Sequence, residues 1–330
     1  MSWAERALGE ILERAGETEL DVGDRWPLYA DPATGRWTTT ARGSWTAGFW
    51  AGLVWLRATI TGADRSSAAS RTASLAPWAE VDTATRGLIF WYGTALSDDT
   101  ALRDKAARAC LDAYDPVLGL VPWGTAFGGV RELARVDALP GLIPLLSRHG
   151  LEGERVARRQ LELQIKLTLS GQEAHPAWAA QPDGTWVPHP DPPVGWSRTV
   201  GWLALAVADS GGPHRILEHP AVAARFAPDS VRIPPASARR FDSPPDTSAA
   251  AVEAVAALKL AARESSGRLR DRAADLLGTL VSEHVRAGRL LDGCYDFERG
   301  VATSHELVWG DFFLALGLAI LTGAVAPFAC

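Results

Sequence analysis

DTSAAAVEAVAALKL (246–260) decides the fold class. Its apolar residues recur three, four and seven positions apart, as at Ala251, Ala254, Val255 and Leu258. That is the spacing of one helix face, whereas a half-buried strand would alternate apolar with polar residues. Outward from this stretch the same spacing continues and β-type alternation is scarce. It predicts about eleven helices, near 4–15, 45–61, 84–97, 100–113, 137–149, 153–170, 197–210, 214–226, 247–264, 267–287 and 304–321, with ends good to a few residues. The connections YADPATGRW (29–37), YDPVLGLVPWGTAFGG (114–129), QPDGTWVPHPDPPVG (181–195) and FDSPPD (241–246) carry the Gly, Pro and Asp of turns. The fold class expected is all-α, with no β-sheet larger than a short hairpin. Helical hairpins must bury their apolar faces on neighbours, which suits a closed ring. An open α-solenoid has the same periodicity, although no strict internal repeat is visible.

At 330 residues, 47% hydrophobic and 22% charged, the chain can bury one large core or two smaller ones. No low-complexity linker divides it, so residues 1–330 are read as a single domain. A net charge of −6 leaves no basic stripe for nucleic acid. The pairs Arg158-Arg159 and Arg239-Arg240 are short and lie near acids. Cys110, Cys294 and Cys330 are too sparse and odd in number for a disulfide framework. The opening MSWAERALGEILERAGE has acids where a signal peptide needs bases. A cytoplasmic protein is expected. The uncharged run Phe312–Cys330 approaches the length of a membrane span, but Gly317, Gly323 and Pro327 break it. A buried last helix with an apolar tail is expected, and no membrane partner. There is no GxGxxG after a strand, no P-loop and no HExxH, so no cofactor and no metal is expected. Nothing in the sequence bears on oligomeric state.

Tryptophan is the compositional outlier, at fourteen against four tyrosines and one methionine. Trp45, Trp123, Trp196, Trp202 and Trp309 sit in glycine-bearing contexts: SWTAGFW, VPWG, GWSRTVGW and ELVWGD. An indole beside glycine can be core, or it can face a cavity and stack on a sugar ring.

Six segments, at 45–55, 114–124, 136–146, 195–202, 246–260 and 300–314, together resemble the unsaturated glucuronyl hydrolases. WTAGFWAGLVW (45–55) resembles that family's entry helix, and YDPVLGLVPWG (114–124) its aromatic wall segment. VDALPGLIPLL (136–146) is similar to the family's Val-Asp-Thr-Met stretch, and GWSRTVGW (195–202) to its Trp-Ser-Arg-Gly-Gln-Ala-Trp motif. DTSAAAVEAVAALKL (246–260) and GVATSHELVWGDFFL (300–314) resemble two further signatures, all in the family's order. The resemblance implies a single-domain (α/α)6 barrel. It also implies a saccharide or uronate-like ligand and hydration of a C4=C5 double bond, which needs one carboxyl group to give a proton and activate water. It does not need the paired carboxylates of ordinary glycosidases.

On this resemblance Asp137 is the general acid/base, and Trp45, Trp123, Trp196 and Trp202 line the sugar site. Arg198 matches the motif's arginine, whose fork suits a uronate carboxylate. His175 corresponds to a histidine near the substrate. Each residue also has a plainer reading. Asp137, just ahead of Pro140, can be a helix N-cap; Arg198 can be a surface ion pair; a lone histidine is commonly structural.

Two departures stand out. DTATRGLIF (82–90) aligns with the family's His-Asp-Leu-Gly-Phe stretch so that Arg86 and Gly87 replace His-Asp, removing a second carboxylate. Arg86 could lean into the cavity in its stead. Val200 stands where the Trp-Ser-Arg motif has glutamine. Three functions remain open: hydration of an unsaturated uronic acid or related enol-ether saccharide, a repurposed barrel of specialised metabolism (hydration, elimination or cyclisation), or a catalytically dead saccharide-binding barrel.

Overall fold

Six helices that are buried on nearly every side close a ring. In the computed structural model, which describes residues 1–212, 215–227 and 232–330, these are α2 (Ala47–Thr61), α4 (Arg86–Thr94), α6 (Leu142–Ser147), α8 (Arg198–Ser210), α10 (Thr247–Glu264) and α12 (Val308–Thr322). Each packs on the next, and α12 returns to α2. Outside them lie α1 (Trp3–Val22), α3 (Arg65–Ala73), α5 (Ala101–Asp112), α7 (Gly150–Thr168), α9 (Pro220–Phe226) and α11 (Gly267–Thr279). The chain therefore alternates between outer and inner helices, which is the (α/α)6 barrel.

The two rings differ in sequence because they differ in environment. In α10 every residue from Thr247 to Ala261 is buried, and in α12 every residue from Val308 to Ile320. Such helices are mostly apolar or small on every side, with only Glu253, Lys259 and Asp311 as buried charges in these spans, while α1, α7 and α11 carry one apolar stripe and a charged outer face. Small residues let the inner helices approach closely. At Gly48 an added Cβ would lie 2.2 Å from the Leu88 carbonyl oxygen of α4. The aromatic centre of the ring comes from Phe49, Tyr92, Trp202, Phe312 and Phe313, whose rings meet at 5.1–6.4 Å.

Several expectations need correction. α3 was not expected, because RSSAASRTA has no apolar stripe. The expected helix over 137–149 is instead a single 3-10 turn at Val136–Ala138, then α6, with α7 beginning at Gly150. Pro140 and Gly141 (φ +74°) break the helix between the first two. The expected helix over 214–226 begins outside the described residues; a 3-10 turn at Ile216–Glu218 precedes α9. The helix expected to reach 287 ends at Thr279 and continues as a π turn, Leu280–His284.

Strand pairing also exceeds a hairpin. β1 (Trp26–Ala30), β2 (Trp37–Thr40) and β8 (Glu306–Leu307) form one three-stranded sheet, ordered β2-β1-β8. β3 (Leu133–Arg135), β4 (Ala177–Ala180) and β5 (Trp186–Pro188) form another, and β6 (Val285–Arg286) pairs with β7 (Arg289–Leu290). All are antiparallel. They lie in the connections between helices, where tryptophan and threonine of high β-propensity flank the turn residues. Among the described residues no helix is long and apolar enough to cross a membrane. α12 is buried, and Cys330 at the end of the apolar tail is buried as well.

Candidate active site

A cavity of about 300 Å³ opens where the six inner helices begin, a size that suits a small-molecule ligand. Trp45 precedes α2; Thr85 precedes α4; Asp137 lies ahead of α6; Trp196 precedes α8; Ser237 lies ahead of α10; Tyr295 lies in the loop that leads to α12. No side chain caps any of these six helices, whereas Ser2, Asp64 and Ser266 cap the outer helices α1, α3 and α11. The positive ends of the inner helix dipoles therefore surround the cavity. They offset its side-chain charge, which is one negative: three arginines against Asp137, Asp191, Asp296 and Glu298.

Asp137, Trp45, Trp123, Trp196, Trp202 and Arg198 all line this one cavity. Asp137 caps no helix, because the turn that holds it ends before α6 begins at Leu142. Both its oxygens accept from a single guanidinium: Arg135 Nε donates to Oδ1 at 3.0 Å and Nη2 to Oδ2 at 2.8 Å. The pairing follows from strand geometry. Arg135 ends β3 in extended backbone (φ −118°, ψ 135°), and side chains two apart in an extended chain share a face. The Arg135 guanidinium also lies 4.1 Å from the Trp123 ring, a cation–π contact that fixes its plane.

The tryptophans divide into walls and floor. Trp45 and Trp196 are half-buried and form walls, with Trp45 Nε1 donating to the Tyr295 hydroxyl at 3.3 Å. Trp202 is almost fully buried and forms part of the floor, edge-on to Phe313. Trp309 is fully buried behind Trp45, at 4.9 Å, and belongs to the core.

Arg198 is a brace at the back of the cavity rather than a surface ion pair. Its Nη1 donates to Asp246 Oδ2 at 2.8 Å and to the Cys294 carbonyl at 2.5 Å, and Nη2 donates to the Tyr295 carbonyl at 3.0 Å. Trp196 and Trp309 lie 4.7 and 5.5 Å from the guanidinium carbon. Asp246 is fully buried and accepts from Ser197 and Ser248 hydroxyls, both at 2.6 Å, and from Cys294 N at 3.2 Å. The network ties α8, α10 and the loop before α12 into one unit.

Two expected site residues lie elsewhere. Arg86 does not line the cavity: α4 turns it outward, where Nε donates to the Ala79 carbonyl at 3.1 Å and the side chain is buried beside Cys110. Burial pushes the Cys110 thiol up to about 11, and the neighbouring guanidinium only partly opposes this. His175 sits where the chain leaves α7 for β4, with its ring against Trp178 at 5.6 Å and away from the cavity.

A Cβ at position 87 would lie 2.1 Å from Leu142 N, so Gly87 marks the close approach of α4 to α6 and could hold no carboxylate. The cavity-facing residue at this helix start is Thr85, whose hydroxyl meets that of Thr83 at 2.9 Å. Gly87→Ala should therefore cost at least ~2 kcal/mol, towards the upper range for overpacking, seen as a lowered urea midpoint. An unchanged midpoint would contradict this packing.

Sequence reading missed Arg135, Thr85 and Tyr295, together with the polar mouth. There Arg299 donates to Asp296 at 2.7 Å and to Asp191 at 3.1 Å, linking two loops across the cavity. Arg135 had one available signal, its place two residues before Asp137. Among the described residues no cluster of three or more His, Cys, Asp or Glu could hold a metal ion.

No protein-family model and no curated protein sequence matches the chain. Solved structures do match over nearly its whole length. An unsaturated glucuronyl hydrolase from Bacillus sp. GL1, responsible for the degradation of glycosaminoglycan, superposes with TM-score 0.82 at 19% identity, covering 98% of this chain and 97% of that one. An unsaturated glucuronyl hydrolase specific for heparin gives TM-score 0.82 at 20% identity, with the same coverage. A UGL Asp→Asn variant with dGlcA-Glc-Rha-Glc gives 0.83 at 21%, covering 98% of both chains. At these identities the likeness is one of fold.

Proposed function

We propose that this chain is a divergent unsaturated glucuronyl hydrolase that adds water across the C4=C5 bond of an unsaturated uronic acid or related enol-ether saccharide, with Asp137 as general acid/base. The observation that carries the reading is the position of Asp137. It is the carboxylate set within the cavity among Trp123, Trp45 and Trp196, and it serves no helix as a cap. Asp191 and Asp296 are engaged by Arg299 at the mouth, and Glu298 is exposed.

The chemistry asks Asp137 for two things. It delivers a proton to C4, and it takes one from the water that adds at C5. The C5 hemiketal then opens, and the anomeric centre left behind releases its alcohol. As found, both Asp137 oxygens accept from Arg135, and a guanidinium offers no acceptor to a protonated carboxyl. Acting as the acid therefore requires one oxygen to leave the fork. The indoles supply flat faces for the sugar and exclude water from the carboxylate. We take residues 1–330 as one barrel domain, supported by the return of α12 onto α2. We place the protein in the cytoplasm, in keeping with three free, buried cysteines.

Thr85 favours a second reading alongside the first. The start of α4 presents a neutral hydroxyl to the cavity where the resembled stretch carries a carboxylate, which suits a repurposed barrel acting on another substrate or by another reaction; Val200 does not line the cavity. Ultraviolet absorbance tests the main reading. The conjugated C4=C5 bond absorbs near the far-ultraviolet edge, and that band should decay when the protein meets a saccharide ending in an unsaturated uronate. An undiminished band, with the saccharide bound, would reduce the protein to a saccharide-binding barrel.

A further inference from the structure

We infer that Arg135 is the anion receptor of the cavity and sets its preference for an acidic sugar. The inference deepens the uronate reading and rests on it for the ligand class. A guanidinium has two forks, one along Nε and Nη2 and one between Nη1 and Nη2. Asp137 occupies only the first. Among the described residues Arg135 Nη1 donates to no protein atom, and the side chain is 14% exposed on the cavity. The second fork is therefore free, and its plane is held by Trp123 at 4.1 Å.

Arg198 is the weaker candidate. Its Nη1–Nη2 fork already serves Asp246 and two carbonyls, and the side chain is 5% exposed. Arg299 is engaged by two carboxylates at the mouth. A carboxylate on the free fork of Arg135 would share one guanidinium with Asp137. That places the acid-bearing carbon of the sugar next to the proposed proton donor, and the double bond to be hydrated begins at that carbon.

Binding of glucuronate and its neutral isostere glucuronamide, followed by tryptophan fluorescence, tests this without turnover. The wild type should bind glucuronate at least ~10-fold more tightly, the low end for a charge-assisted pair. Arg135→Gln should bring the two affinities within about twofold, and Arg135→Lys, which keeps the charge but not the fork, should fall between. Asp137→Asn should preserve or sharpen the preference by removing the like charge. The receptor role is overturned if the wild type binds neither sugar or shows no preference, or if Arg135→Gln keeps it. If Arg135→Gln fails to fold, full wild-type discrimination in Arg135→Lys overturns it instead. Decay of the unsaturated band without acid preference would sink the receptor and leave the function standing. Acid preference without decay would do the reverse.

Discussion

Asp137→Asn should lower turnover of an unsaturated uronide by at least ~10²-fold, the low end for losing a general acid/base. Fold and sugar affinity should persist. Asparagine keeps the shape and one acceptor for Arg135, and the pair it replaces is partly exposed, with Arg135 14% and Asp137 16% accessible. Its loss should cost about 1 kcal/mol or less. The comparison of rate with melting temperature separates two roles. Abolished turnover at an unchanged melting point identifies a group acting in the reaction. Retained turnover at a lowered melting point would mean that Asp137 only anchors Arg135, and that the chemistry lies elsewhere.

Arg198→Ala should have the largest effect on stability, about 3–5 kcal/mol, read from the urea midpoint. The magnitude is that of breaking a buried ion pair by removing one partner. Asp246 is fully buried, and the 2.8 Å bond from Arg198 is its only ion pair among the described residues. The two carbonyls at Cys294 and Tyr295 would lose their donors in the same step. A loss below about 1 kcal/mol, the level of exposed pairs, would mean that water reaches Asp246 and that Arg198 braces nothing.

The fold was legible where burial is uniform. α2, α8, α10 and α12 are apolar or small at most positions, with only a few charges such as Arg198, Glu253, Lys259 and Asp311 among them, so their helical spacing survives any choice of neighbour. α3 was hidden because a short outer helix of Ser, Ala and Thr buries only Ala68 and Thr72. The strands were hidden because each is five residues or fewer and lies beside turn residues. Within the site, the pairing of tryptophan with glycine pointed to Trp45, Trp123, Trp196 and Trp202, but equally to Trp309, which is core.

Arg86 was misjudged because direction around a helix start depends on where the first turn begins. Thr85 and Leu88 face inward while Arg86 faces out. The sequence likewise could not show that Gly87 sits against Leu142 and admits no side chain, or that Thr85 is the residue of this stretch that faces the cavity. Arg135 could not be weighed from composition. Its importance arises from a fork, a strand end and an indole plane meeting in space.

Proton delivery to C4 is the central step, and reaction in D2O followed by NMR tests it most directly. If Asp137 delivers the proton from a fixed side of the sugar, the keto product will carry one deuterium at C4 in a single configuration. The wild type should give that product, and Asp137→Asn should not accelerate its formation over the spontaneous rate. Deuterium distributed equally over both C4 positions, or an alcohol released while C4 takes up none, would contradict the account.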